Sequence, residues 1–303
     1  MLKRTLTGIL IIAVVAGFVA LRMVHTAFFD AFVFALMIAA GFEMIRAKKK
    51  AGKVLFERLI ILFPIPVAAG YIFVQNLAVS LLIEVLSIVV LFVASVGIEL
   101  IINAVNRKSG APAPENDKLL AITKDTMGVI IYPLAVISTM FILNHFGYNI
   151  GYVMIITMFA ITMTTDTFAY LFGMLFGRRQ NSARFAPEIS PKKSMAGFYA
   201  GIAGGLIVSV VCWLLFYHYN LFDSGLVASL STSSSLILFT VTGIVASLAT
   251  QFGDLLASAV KRQADLKDYS NLLPGHGGVM DRIDGEMFSS AVVATMFALF
   301  LLI

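Results

Sequence analysis

The chain has 303 residues, of which 59% are hydrophobic and only 13% charged, with a net charge of +5. Water-soluble domains carry roughly 25% charged residues, so a soluble enzyme is excluded. The basic balance follows membrane topology rather than a nucleic-acid footprint, and no nucleic-acid partner is expected.

Apolar runs recur from end to end, and the expected fold is an all-α polytopic membrane protein of about nine spans. These lie at 6–22, 27–45, 59–74, 77–102, 127–146, 150–172, 196–217, 236–257 and 286–303. Lys3 and Arg4 precede the first run and no small-residue cleavage site follows it, so it reads as a retained span. The single cysteine, Cys212, lies within the seventh span, which excludes an internal disulfide.

The connections after spans one, three and five are short, and the one after span seven is Ser/Thr-rich. Those after spans two, four, six and eight are longer and basic. With a cytoplasmic N-terminus, every one of the 22 lysines and arginines except Arg22 falls on the cytoplasmic side. The C-terminus then faces outward. The chain divides into an N-terminal region, 1–126, and a C-terminal catalytic region, 127–303. The linker-like stretch 103–126 contains Ala-Pro-Ala-Pro, and 115–126 is expected to form a short interfacial helix.

An aspartate at mid-membrane costs about 2.5–3.5 kcal/mol on insertion scales. Asp166 lies late in span six, Asp254 late in span eight, and Asp281 and Asp284 at the entrance to span nine, all toward the cytoplasmic side. Asp254, Ser258 and Lys261 share one helix face, as do Asp281 and Asp284. Asp166, Tyr170, Gly173 and Gly177 follow one stripe, where a second helix can approach closely. The plainer reading of Asp166 or Asp254 alone is a buried acid satisfied by hydroxyls, and of Arg282 an ion pair. Asp30, Glu43, Glu84 and Glu99 lack a partner pattern and read as packing or lateral-cavity residues.

The polar stretch from Ser258 to Asp284 sets cations (Lys261, Arg262, Lys267, Arg282) among carboxylates (Asp265, Asp268, Asp281, Asp284), with a Pro-Gly-His-Gly-Gly turn between them. Such a mixture suits a polyanion held with metal ions. The run Ser-Ala-Val-Lys-Arg-x4-Lys-Asp-x-Ser-x2-Leu-Pro-Gly-His-Gly-Gly-Val-x-Asp-Arg-Ile-Asp resembles the signature of the CDP-diacylglycerol synthases (phosphatidate cytidylyltransferases). Asp166 to Arg178 resembles the upstream acidic helix of that family. Ser190-Pro191-Lys192-Lys193-Ser194 resembles its Ser-Pro-Lys-Lys loop, although Met195-Ala196-Gly197 stands where the family has Trp-Glu-Gly. The resemblance covers roughly 160–290.

The resemblance implies transfer of CMP from CTP to phosphatidic acid, giving CDP-diacylglycerol and pyrophosphate, with Mg2+ required. It leaves open whether a monovalent cation such as K+ joins the Mg2+. It implies Asp254, Asp281 and Asp284 as the metal site, with Asp166 in a second tier. Lys261, Arg262 and Arg282 become phosphate clamps, and Lys267 joins the cations of the binding loop. Gly275 to Gly278 offer backbone amides, with His276 as a donor beside Gly277 and Gly278. Ser258 supports the metal or phosphate site, and Lys192 and Lys193 bind CTP phosphates or the lipid head group. The expected setting is the cytoplasmic membrane, with a lipid bilayer around the spans and a homodimer as the assembly. The competing readings are a CDP-archaeol synthase or polyprenol or phytol kinase and, from another class, a cation-coupled transporter. The Asp-Gly-x2-Ala-Arg pattern of CDP-alcohol phosphotransferases is absent.

Overall fold

A computed structural model describes residues 2–50, 61–74, 76–108, 128, 130–177, 184–187, 189–223 and 229–302. The boundary at 126/127, the interfacial helix at 115–126 and Arg178 fall outside these, as do the side chains of Glu99 and Lys192. The structure is 81% helical. In chain order the helices are α1 (Leu2–Leu21), α2 (Ala27–Lys50), α3 (Pro64–Val74) and α4 (Leu77–Lys108), then α5 (Thr139–His145) and α6 (Tyr148–Phe176). They end with α7 (Met195–Trp213), α8 (Thr232–Gln263) and α9 (Met280–Leu302).

Six helices are long and apolar enough to cross a membrane, namely α2, α4, α6, α7 with its π-turn extension to His218, α8 and α9. Two shorter apolar helices, Leu6–Leu21 and Pro64–Val74, accompany them. The chain is therefore a multi-pass, all-α membrane protein, while the expected count of nine full spans is not met among the described residues. The span expected at 127–146 is broken. A π turn at Ile130–Ala135 contains Pro133, and Tyr132 leaves helical geometry before α5 begins. Proline has no amide hydrogen to donate and its ring crowds the preceding turn, so the ladder cannot run through it.

One element departs from the all-helical expectation. Arg184–Ala186 (β1) and Ser190–Ser194 (β2) form an antiparallel hairpin, with Arg184 opposite Ser194 and Ala186 opposite Ser190. It feeds directly into α7, whose N-terminus is capped by Ser194 accepting the Gly197 amide at 3.2 Å.

The C-terminal helices α6, α7, α8 and α9 pack together on small residues. A Cβ on Gly205 of α7 would collide with Ser247 of α8 and press on Thr165 of α6. At the same crossing the Thr165 hydroxyl donates to Ser247 Oγ at 3.0 Å, and Ser247 donates to the Gly243 carbonyl at 2.6 Å. Helices in lipid associate through such close contact and interhelical hydrogen bonds, because hydrocarbon offers no hydrophobic drive.

Arg22, the one cation off the basic side, is fully buried. Its Nε donates to Asn144 Oδ1 at 2.5 Å, and its terminal nitrogens donate to the carbonyls of Tyr148 and Asn144, each at 2.9 Å. Asn144 Nδ2 donates onward to Asp30 Oδ1 at 2.7 Å, and His145 Nε2 lies 3.0 Å from Asp30 Oδ2. The guanidinium also stands over the rings of Tyr148 and Tyr152. The α1–α2 corner is thus stapled to the α5–α6 corner. Breaking a buried charge network by removing one member costs about 3–5 kcal/mol. Arg22→Met is expected to lower the thermal midpoint in detergent, with Arg22→Met/Asp30→Asn recovering part of the loss.

Candidate active site

α8 ends at Gln263 and the chain turns through Asp265, which takes a left-handed φ of 50°. The loop that follows returns at Val279 to start α9. Two carboxylates fold it. Asp281, in the first turn of α9, is buried, and its Oδ1 receives Lys261 Nζ at 2.6 Å. Its Oδ2 accepts the amides of Tyr269 at 2.8 Å and Gly278 at 2.9 Å. One side chain therefore ties the last turn of α8, the middle of the loop and the start of α9.

The second carboxylate is Glu43 of α2. It accepts Ser270 Oγ at 2.6 Å, the Val279 amide at 2.9 Å and the Met280 amide at 2.8 Å. Lys50 adds a contact from its Nζ to the Asp265 carbonyl at 3.2 Å. Gly278 is required between the two acids, because a Cβ there would stand 2.5 Å from both Glu43 oxygens. Inside the loop, Leu273 and Gly277 form a bridge, and Gly275 and Gly277 take φ values of 79° and 83° that only glycine adopts freely. Tyr269 is buried and its hydroxyl donates to the Ala257 carbonyl at 3.1 Å. Burial pushes its phenol well above the usual range, with neighbouring carboxylates adding to the shift, so it remains a neutral donor.

Beside this loop lies a cavity of about 640 Å³ between α6, the β-hairpin with α7, and α8. Asp166, Tyr170, Arg184, Lys193, Gln251 and Asp254 line it. The glycine stripe of α6 makes it possible, because Gly173 and Gly177 admit Ser194 and Gly197 at close range. Lys193 thereby reaches Asp254, with Nζ 2.7 Å from Oδ2. Ser258 Oγ is 3.4 Å from Asp254 Oδ1, at the edge of a hydrogen bond. On the same helix, a Cβ on Gly253 would collide with the Asp284 carbonyl of α9, so α8 and α9 touch beside Asp254. The Asp284 carboxylate lies within electrostatic reach of Asp254, Glu286, Lys261 and Asp166. Among the described residues, its carboxylate accepts one hydrogen bond, from the Gly285 amide at 2.9 Å.

The expected ligand residues therefore separate. Asp284 lies within electrostatic reach of Asp254 and Asp166, and carboxylate oxygens are the ligand type that a hard divalent cation takes. Asp281 has both oxygens engaged by Lys261 and two amides, so in this arrangement it organises the loop. Among the described residues no three His, Cys, Asp or Glu side chains already stand at common metal-binding distance. Arg262, Lys267 and Arg282 are exposed, and Arg282 lies within reach of Asp166 and Glu286. The amide of Gly278 is engaged by Asp281 and that of His276 by the Leu273 carbonyl, so neither is offered to a ligand here. The His276 ring abuts α1, with Nε2 3.6 Å from where a Cβ on Gly8 would stand.

Glu43 and Tyr269 carry the loop yet escape a sequence reading. The partners of Glu43 lie 227 to 237 positions away in the chain, and no helical spacing encodes that. Glu43→Ala is expected to speed protease cleavage within 264–279 in the detergent-solubilised protein. Glu43→Gln, which keeps one acceptor oxygen, should sit between it and the parent. Equal cleavage rates in all three would show that the clamp does not hold the loop.

The Cytidylyltransferase family profile matches residues 2–300. A phosphatidate cytidylyltransferase of Thermotoga maritima is 31% identical over 96% of this chain and 95% of its own length. Shorter matches occur to enzymes of the same name from Staphylococcus haemolyticus, 38% identical over 43% of each chain, and from Haemophilus influenzae. The latter is 37% identical over 46% of this chain and 44% of its own. With nearly its whole length matched and its polar machinery gathered at one loop, the chain belongs to the cytidylyltransferase family.

Proposed function

We propose that this protein is a phosphatidate cytidylyltransferase of the cytoplasmic membrane, transferring CMP from CTP to phosphatidic acid and releasing pyrophosphate. The observation that carries the reading is the cavity where Lys193 meets Asp254 at 2.7 Å, opposite Asp166 and beside Asp284. It joins cations for a polyphosphate to acids for a metal, on a helical frame whose full-length relative carries that name.

The chemistry asks little of the protein in proton transfer. A phosphate monoester has a second pKa near 6, so at pH 7 its dianion is already the nucleophile. One of its oxygens forms the new bond to the α-phosphorus of CTP, the bond from that phosphorus to the bridging oxygen breaks, and pyrophosphate leaves with the electron pair. The demands that remain are alignment of two polyanions and neutralisation of the charge on the leaving group. Lys193 and Arg184 line the cavity and supply cationic donors to the triphosphate. Asp254 and Asp284 would hold Mg2+, which when bound withdraws charge from the phosphate oxygens. Asp281 keeps Lys261 and the loop in register with that pair. Because CTP is a cytoplasmic nucleotide, the N-terminus and the cavity are assigned to the cytoplasmic side and the C-terminus to the outer side, in keeping with the charge distribution.

Purified protein in detergent micelles is expected to release pyrophosphate only when CTP, phosphatidate and Mg2+ are all present. Asp284→Asn should reduce that rate by about 10³-fold or more, as removal of a charge-stabilising group does, with no change in thermal midpoint beyond a few degrees. Pyrophosphate release by Asp284→Asn at the parent rate would remove Asp284 from the site.

A further inference from the structure

A second cavity, of about 720 Å³, lies between α2 and Ser270–Leu272 of the loop. Its α2 wall is graded. Ala39 and Phe42 come first, then Arg46, then Lys49 in the last turn, all on one face. Leu272 and Phe42 are largely exposed, and so is Arg46. At 1.5 Å per residue, Phe42 and Lys49 stand about 10 Å apart along the helix axis. That separation suits a glycerophospholipid, with acyl chains against the hydrocarbon end and the phosphate at the cationic end. Glu43 also lines the cavity, but its oxygens are engaged by Ser270 and two amides, so its charge is already compensated from behind.

We infer that this cavity captures the acceptor lipid before transfer, with Arg46 meeting the phosphate monoester of phosphatidate on its way to the Asp166–Asp254 cavity and the Phe42–Leu272 edge admitting its chains sideways from the inner leaflet. The inference rests on the proposed reaction. It adds an entry side and a lipid-reading residue on α2, a helix that contributes nothing to the Asp166–Asp254 cavity. A guanidinium can meet a dianionic monoester with two parallel hydrogen bonds, whereas a diester such as phosphatidylcholine offers one negative charge and carries a repelling ammonium. The floor of the cavity is the catalytic loop itself. Tyr269, next to Ser270, donates its amide to Asp281, so an occupied lipid cavity and an ordered loop favour each other.

The test has two arms. In mixed micelles at varied surface fraction of lipid, Arg46→Ala should raise the KM for phosphatidate at least about tenfold, the loss of one charge-assisted contact. The KM for CTP should not move, and Arg46→Lys should recover part of the effect. In the second arm, a Phe42→Trp reporter in a Trp213→Phe background is titrated with phosphatidate brominated on its acyl chains. Its indole emission should be quenched at lower surface fraction than by brominated phosphatidylcholine, and Arg46→Ala should abolish that difference. An unmoved KM for phosphatidate, or equal quenching by the two lipids, overturns the inference. Failure of the parent protein to release pyrophosphate would instead strike the proposed reaction, and the quenching comparison, which needs no turnover, would still decide what the cavity binds.

Discussion

The structure depends on the bond between Lys261 and Asp281. A loop rich in glycine and polar residues buries too little apolar surface to offset the entropy of ordering it. What orders it is one carboxylate that meets an ammonium at 2.6 Å and two amides below 3 Å. Charge-assisted bonds of this kind are strong where water is excluded, and Lys261 and Asp281 are both largely buried. The pair also fixes how α8 enters the loop and how α9 leaves it. Asp254 and Asp284 sit on those two helices, so the spacing of these two acids follows from a bond neither of them makes.

Glu43 extends this logic to the N-terminal region. The first amides of a helix have no partner within it. In α9 and the residues just before it they are shared between two carboxylates, Gly278 going to Asp281 and Val279 and Met280 to Glu43. One acid is local and the other comes from α2. The helix dipole favours both. The N-terminal region thereby braces the loop, although among the described residues it supplies none to the Asp166–Asp254 cavity.

Much of this was legible beforehand, for physical reasons. Hydropathy marks helices in lipid because every backbone group must be satisfied within the segment, and spans such as α2, α6 and α8 fall near their expected places. The α6 glycine stripe pointed to a close neighbour, and Ser194 and Gly197 are that neighbour. Asp254 and Asp284 were marked by the cost of placing acids beside apolar runs. What spacing could not give is tertiary. Pro133 breaks a run that hydropathy alone reads as continuous. The β-hairpin needs the pairing of Arg184 with Ser194 to exist at all. Arg22, which looked like a stray outer cation, is buried because Asn144 and two carbonyls more than 120 positions away receive it.

The acids of this protein sort by how completely their oxygens are satisfied, and that sorting separates scaffold from chemistry. Asp30, Glu43 and Asp281 each accept donors at both oxygens or are closed in by a network, so their charge is compensated by the protein alone. Among the described residues, Asp254 has a single lysine and a hydroxyl at the limit of bonding, and Asp284 a single amide. Asp284 lies within electrostatic reach of Asp254 and Asp166, beside a crossing that Gly253 makes tight. Carboxylates brought near one another with few donors repel, and either a cation or a proton relieves that repulsion. In the proposed reaction that cation would arrive with the nucleotide. The few donors around Asp254 and Asp284 are what the proposed metal site rests on, and the full complement around Asp281 is what holds the loop.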